Sequence, residues 1–149
     1  MIVRPAQPAD AARWQSLRAI LWHDDDPDDH RAEIATYFTA SNPEQAAFMA
    51  VSDGGDIIGF AEAALRHDYV EACDTSPVAY LEGICVDPAG RLKGVGRMLV
   101  EAVADWGRAQ GCTEFASDAL IEDVESHAFH AAVGLAETER VVFFKRDLQ

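Results

Sequence analysis

The junction at residues 86–99, VDPAGRLKGVGRML, constrains this chain more than any other stretch. An apolar run ends at Val86, and a helical apolar pattern begins within the segment at Met98 and Leu99. Between them lie Gly94 and Gly96, with cations at Arg91, Lys93 and Arg97. Glycine lets backbone N–H groups approach a ligand with no Cβ in the way. The first turn of a helix adds unpaired donors and a partial positive charge. A strand, a glycine-rich turn and a helix N-terminus in succession make a site for an anion such as a phosphate. Neither the Lys-Ser/Thr of a P-loop nor the third glycine of the dinucleotide fingerprint is present. On these residues alone, a glycine-rich turn that merely caps a helix stands as the alternative.

The flanks read as an alternation of strands and helices. Residues 2–5 form a short strand ending at Pro5. A helix opens at residues 8–10, with Asp10 as its expected N-cap. Trp14, Leu17, Ile20 and Leu21 recur at helical spacing, and the helix ends near Trp22. The acidic run HDDDPDD at residues 23–29 is expected to be an exposed loop, because proline cannot continue a helix. Helical spacing resumes over residues 30–38. Residues 46–51 and 57–63 read as strands joined by the turn DGGD at residues 53–56. A polar loop leads to a strand at residues 79–86, which Glu82 and Gly83 interrupt. A carboxylate inside a buried strand needs a partner or a task, and the glycine suggests a bulge or a close backbone approach. The spacing then predicts a helix over 96–110, a strand over 113–116, an acidic loop over 118–125, a helix over 126–133 closed by Gly134, and a last strand over 138–146. This order indicates an α/β class (an α+β mixed sheet) in one domain spanning residues 1–149.

Composition narrows the partners. The net charge is −14, from 26 acidic and 12 basic residues. This argues against nucleic acid and anionic membranes and suits a cationic small molecule. No apolar run approaches a membrane span, and the first residues carry no charged-then-apolar leader, so a cytoplasmic location is expected. The three cysteines, Cys73, Cys85 and Cys112, have no metal-binding spacing, and no metal is expected.

Arg-x-x-Gly-x-Gly between a fourth strand and the third main helix resembles the GCN5-related N-acetyltransferase (GNAT) family. Within it, the chain is similar to short aminoglycoside 6′-N-acetyltransferases. The resemblance is carried by SLR through Trp22, by residues 59–84 (GFAEAALRHDYVEACDTSPVAYLEGI), by GVGRMLVEAVADWG from Gly94, by GCTEFASD from Gly111 and by ETERVVFF from Glu137. It implies the GNAT acyl-CoA N-acyltransferase fold: a central mixed, mostly antiparallel sheet with helices on both faces. It implies acetyl-CoA as co-substrate, an aminoglycoside as acceptor, and a homodimer. The backbone of Ile84, Cys85 and Val86 would pair with the pantetheine arm. Arg91, Leu92, Lys93, Gly94, Val95, Gly96 and Arg97 would cradle the pyrophosphate. Asp123 falls where close relatives place an asparagine against acetyl-CoA, although an acidic residue faces an anion less favourably. Trp22, Tyr69, Glu82, Asp118 and Glu139 fall on positions lining the aminoglycoside site.

Acetyl transfer to an amine requires that the ammonium lose a proton, that the carbonyl oxygen be stabilised and that the thiolate leave. Glu82 and Asp118 are the acidic candidates at the sheet's opening, able to bind the ammonium and accept its proton through water. A backbone N–H near Ile84 would stabilise the oxyanion. Many family members place a tyrosine four residues before the glycine that closes the last helix; here that position is His130, a candidate donor to the departing sulfur. Two other readings share these features. One is a GNAT enzyme acting on a polyamine or another cationic amine metabolite. The other is an acetyl-CoA-binding module without turnover.

Overall fold

The computed structural model describes residues 1–91 and 93–149. Five strands form one sheet in the order β1 (Ile2–Pro5), β2 (Gln45–Val51), β3 (Ile57–Arg66), β4 (Val78–Val86) and β5 (Phe115–Ser117). Every neighbouring pair is antiparallel except β4 and β5, which run parallel. Side chains alternate across the sheet, so the two apolar faces meet different helices. Met49, Phe60 and Cys85 pack with Trp14 and Leu17 of α1 (Ala11–Leu21) and Ile34 of α2 (Pro27–Ala40). Their neighbours Ala50 and Ala61 pack with Leu99, Val100 and Val103 of α3 (Val95–Ala109) on the other face. A final helix, α4 (Val124–Ala132), lies beside the start of α3. The expected mixed, mostly antiparallel sheet with helices on both faces is therefore present.

Two features of β4 shape the site. Its pairing with β3 steps from Glu62↔Gly83 to Ala63↔Leu81, which leaves Glu82 as the extra residue of a bulge. Its pairing with β5 covers only Ala79, Tyr80 and Leu81. Beyond Leu81 the two strands part, and the edge of β4 over residues 82–86 has no strand partner on that side among the described residues.

Four local expectations are corrected. The acidic run is only partly a loop: Pro27 occupies the first turn of α2, and Asp26 caps it by accepting from Asp28 N at 2.9 Å. Proline is well suited there because its missing N–H would have no helical partner. Asp10 does not cap α1 with its side chain. It is buried and accepts from Arg4 at 2.7 and 2.9 Å, which holds its carboxyl below the usual range. The strand expected at residues 113–116 is shorter and later, Phe115–Ser117. Residues 138–146 form no strand, and Phe143 and Phe144 are 90% and 92% exposed.

Candidate active site

The bulge and the fork between β4 and β5 bring the acidic candidates together. The bulge turns Glu82 out of the core, so the carboxylate expected in a buried strand is exposed. Arg66, at the end of β3, donates to both of its oxygens at 3.0 and 2.9 Å. The same guanidinium lies over the Tyr80 ring, 3.4 Å from its centroid. The Tyr80 hydroxyl donates to Asp118, just past β5. Burial and the Asp118 carboxylate push the Tyr80 phenol well above its ordinary range, so it stays a donor. Glu82, Arg66, Tyr80 and Asp118 thus form one connected group at the fork.

Trp22 closes this group on the α1 side. A Cβ on Gly83 would come within 2.6 Å of its ring, so the indole lies against the bulge backbone. His30 stacks on the Trp22 ring with centroids 6.2 Å apart, and the Arg18 guanidinium carbon sits 4.9 Å from its ring centroid. The wall is rigidly held. Tyr69 and Glu139 gather elsewhere, around Glu71. Tyr69 is 79% exposed, and its phenol is raised by its hydrogen bond with Glu71. The Glu139 carboxyl is also raised, first by its hydrogen bond with Glu71 and then by that residue's charge.

At the fork itself stands a hydrogen-bonded chain. Ser117, the last residue of β5, lies with its hydroxyl 3.2 Å from Leu81 O and 3.0 Å from His130 Nε2. His130 Nδ1 is 2.7 Å from Ser126 O, one turn back in α4. A ring nitrogen beside a carbonyl must carry the proton, so Nδ1 is the donor and Nε2 faces the fork.

The glycine loop does two jobs. Gly94 has φ +79° with nothing near its missing side chain, and it sits at the N-terminus of α3. Gly96 instead receives Phe129, because a Cβ there would lie 2.7 Å from that ring. Arg97 donates to Ala132 O at 2.6 Å, and Arg91 Nε donates to Val86 O at 3.2 Å. Lys93 and Val95 flank Gly94 at the same helix start, while Leu92 lies outside the described residues. Asp123 caps α4 by accepting from Ser126 N at 3.1 Å. Ile84 and Val86 lie on the unpaired edge of β4, whereas Cys85 points into the core and burial raises its thiol. Open β4 amides, an αL glycine and a helix N-terminus form a continuous run of donors, which fits an acyl carrier with a pyrophosphate end.

A sequence profile for the Acetyltransferase (GNAT) family matches residues 13–135. The chain belongs to this family. Among GNAT proteins it is 48% identical to an aminoglycoside N(6′)-acetyltransferase type 1 of Stenotrophomonas maltophilia, over 99% of this chain and 94% of the relative. It is 46% identical to the Serratia marcescens protein of the same name over 91% of each. Among solved structures, the apo aminoglycoside 6′-N-acetyltransferase AAC(6′)-Ig of Acinetobacter haemolyticus superposes with a TM-score of 0.93 at 39% identity, covering 100% of both chains. AAC(6′)-Iy in complex with the bisubstrate analogue CoA-S-monomethyl-acetylneamine gives 0.91 at 41% identity, covering 98% of this chain and 97% of that one.

Five residues of this candidate site escaped sequence reasoning, among them Tyr80, which lies inside the apolar strand VAYLEGICV. Arg66 sits where a strand passes into a polar loop, and Ser117 is one small residue among several. Arg18 continues the apolar stripe of α1, four residues after Trp14, and Glu62 interrupts the apolar strand IIGFAEAALR. The last two carried a usable signal: a charge on an apolar face requires an opposite one nearby.

Proposed function

We infer that this chain is an acetyltransferase that moves the acetyl group of acetyl-CoA to the 6′-amine of an aminoglycoside, by direct attack within a ternary complex. The outcome for a cell is antibiotic resistance. The observation that carries this reading is the fork. A strand edge suited to a pantetheine arm runs directly into a group of carboxylates suited to an ammonium. The near full-length similarity to proteins named for this activity supports it. One catalytic domain, acting in the cytoplasm without a metal, is the simplest setting for it.

In this reading, Glu82 and Asp118 bind the 6′-ammonium, with Trp22 as a wall for the sugar. Tyr69 and Glu139 take further parts of the acceptor. The N–H of Ile84 or its neighbour donates to the carbonyl oxygen as charge develops there. Holding amine and thioester together removes any need for a covalent enzyme intermediate. The excess acidic charge attracts the polycationic acceptor. A thiol-release assay tests the assignment. Kanamycin with a 6′-amine is expected to release CoA thiol, and an analogue with a 6′-hydroxyl is not; equal rates with both overturn it.

His130 is assigned, as an imidazolium whose Nδ1–H stays on Ser126 O, to give its Nε2 proton to the departing sulfur, supported by its location at the fork and by Nε2 facing Ser117. His130→Phe is expected to lower kcat about 100-fold with acetyl-CoA affinity retained, the size usual for one general acid. Unchanged turnover removes the role.

We also infer a homodimer. Residues 138–146 carry the strand-like pattern TERVVFFKR yet pair with no strand among the described residues, and their phenylalanines are exposed. Such an apolar surface calls for a cover, and the arm of a second copy is a self-complementary one. Sedimentation of the full chain is expected to give a dimer, and a chain ending at Glu137 a monomer. A monomeric full chain overturns the inference.

A further inference from the structure

One titratable group near the fork has no role in the chemistry above. Glu62 projects from β3 onto the α1 and α2 side, directly across from Gly83. With Glu82 it lines a cleft of about 410 Å³ whose other walls include Trp14, Arg18, Glu33 and Tyr37. Its side chain is only 16% exposed. The cleft therefore joins the exposed Glu82 to a carboxylate largely withdrawn from water.

The neighbours of Glu62 hold one of its oxygens more firmly than the other. Oε1 accepts from Trp14 Nε1 at 2.9 Å and lies 3.0 Å from Arg18 Nε. That Arg18 contact is close but poorly directed, and Nε has no well-aligned acceptor. Among the described residues Oε2 has only Arg18 Nη2, at 3.5 Å, the limit of a useful bond. The same Arg18 nitrogen is drawn to Glu33 at 2.6 Å instead. In contrast, both oxygens of Glu82 are engaged by Arg66, and Asp118 already accepts from Tyr80.

We propose that Glu62 is the group that takes the proton from the bound ammonium, through Oε2 and one intervening water. This deepens the acetyltransfer reading and rests on it. An N–H bond of the ammonium breaks, and its electron pair stays on nitrogen as the attacking lone pair. The water passes one of its own protons to Oε2 as it accepts the one released. Glu82 and Asp118 then serve to hold the amine, and Glu62 returns its proton to solvent once product leaves. Burial is the main influence on the Glu62 carboxyl, raising it to about 7 against the pull of Arg18 and the Trp14 bond, with Glu33 adding to the rise. A base that is half ionised near the working pH combines availability with driving force. The groups facing it are Arg18 and Trp14 from α1, Glu33 and Tyr37 from α2, and Glu82 from β4.

The sign of the pH dependence follows. A base must be ionised, so kcat/KM rises with pH through the Glu62 transition near pH 7. Glu62→Gln keeps an oxygen for Trp14 and removes the base. With acetyl-CoA and kanamycin, it is expected to lose that rising limb and about 100-fold in kcat/KM at alkaline pH. Glu33→Gln, at an exposed position and with an oxygen kept for Arg18, removes a neighbouring negative charge and is expected to move the limb to lower pH. The two shifts together support the proposal. A limb that stays at the wild-type pH in Glu33→Gln, or persists in a folded Glu62→Gln enzyme, overturns it. Absence of turnover in the wild-type protein sinks the acetyltransfer reading instead, so the two failures are distinct.

Discussion

Replacing Glu82 with glutamine is expected to lower kcat/KM for a 6′-amino aminoglycoside by about two orders of magnitude, while the KM for acetyl-CoA stays within about twofold. Glutamine preserves the size of the side chain and one oxygen for Arg66. What it removes is the negative charge on the bulge, where the ammonium is proposed to bind. It also leaves the Arg66 guanidinium short of half its partner, since the pair is now closed by two bonds at 3.0 and 2.9 Å. An unpaired cation at that point repels the acceptor, and this second effect adds to the first. The cofactor contacts proposed above lie on the backbone of β4 and in the loop beyond it, which the substitution does not touch. Steady-state kinetics with each substrate varied separately make the check. Near wild-type kcat/KM removes Glu82 from the acceptor site, and a matched rise in the acetyl-CoA KM assigns it to the donor instead.

The second large effect concerns stability. Trp14→Ala is expected to cost about 4 kcal/mol and to lower the melting temperature by roughly 10 °C. The indole is 1% exposed and lies edge-on to Tyr37 and Phe38, with centroids at 5.4 and 6.0 Å. Removing it opens a cavity at the meeting point of α1, α2 and the sheet, in a molecule of a size whose whole stability is about 5–15 kcal/mol. It also takes the indole N–H from Glu62, leaving a buried carboxylate with one donor fewer. Trp14→Phe separates the two losses, because it keeps most of the ring and drops only the donor. Its cost is expected to fall well short of that of the alanine variant. Melting by circular dichroism for the three proteins decides the matter, and an alanine variant that melts within about 1 °C of wild type refutes the packing argument.

Elements marked by both periodicity and punctuation were legible from residues alone. The helix now called α3 has its apolar stripe and ends before Gly111 at φ +86°, and α4 ends at Gly134 at φ +90°. The bulge was foreshadowed by Glu82 and Gly83 in an apolar run. What stayed hidden depends on partners distant in the chain. Nothing near Glu62 announces that Arg18, 44 residues earlier, will lie beside it. Asp10 looks like a helix cap in isolation, and only its burial and the approach of Arg4 reassign it. The arm at residues 138–146 has every local mark of a strand. Strand propensity says that a segment suits a sheet but not whose sheet it joins.

Phe129 resting on Gly96, and Arg97 bonded to Ala132 O, tie the head of α3 to the tail of α4 on either side of His130. The glycine loop and the imidazole at the fork are therefore parts of one lever. Neither can be re-engineered alone. A loop lengthened or re-twisted after Arg91 to accept a different acyl carrier drags the histidine with it, and a side chain at position 96 pries the two helices apart. A change of donor in this protein is therefore expected to need paired substitutions, one in the loop and one in the last helix.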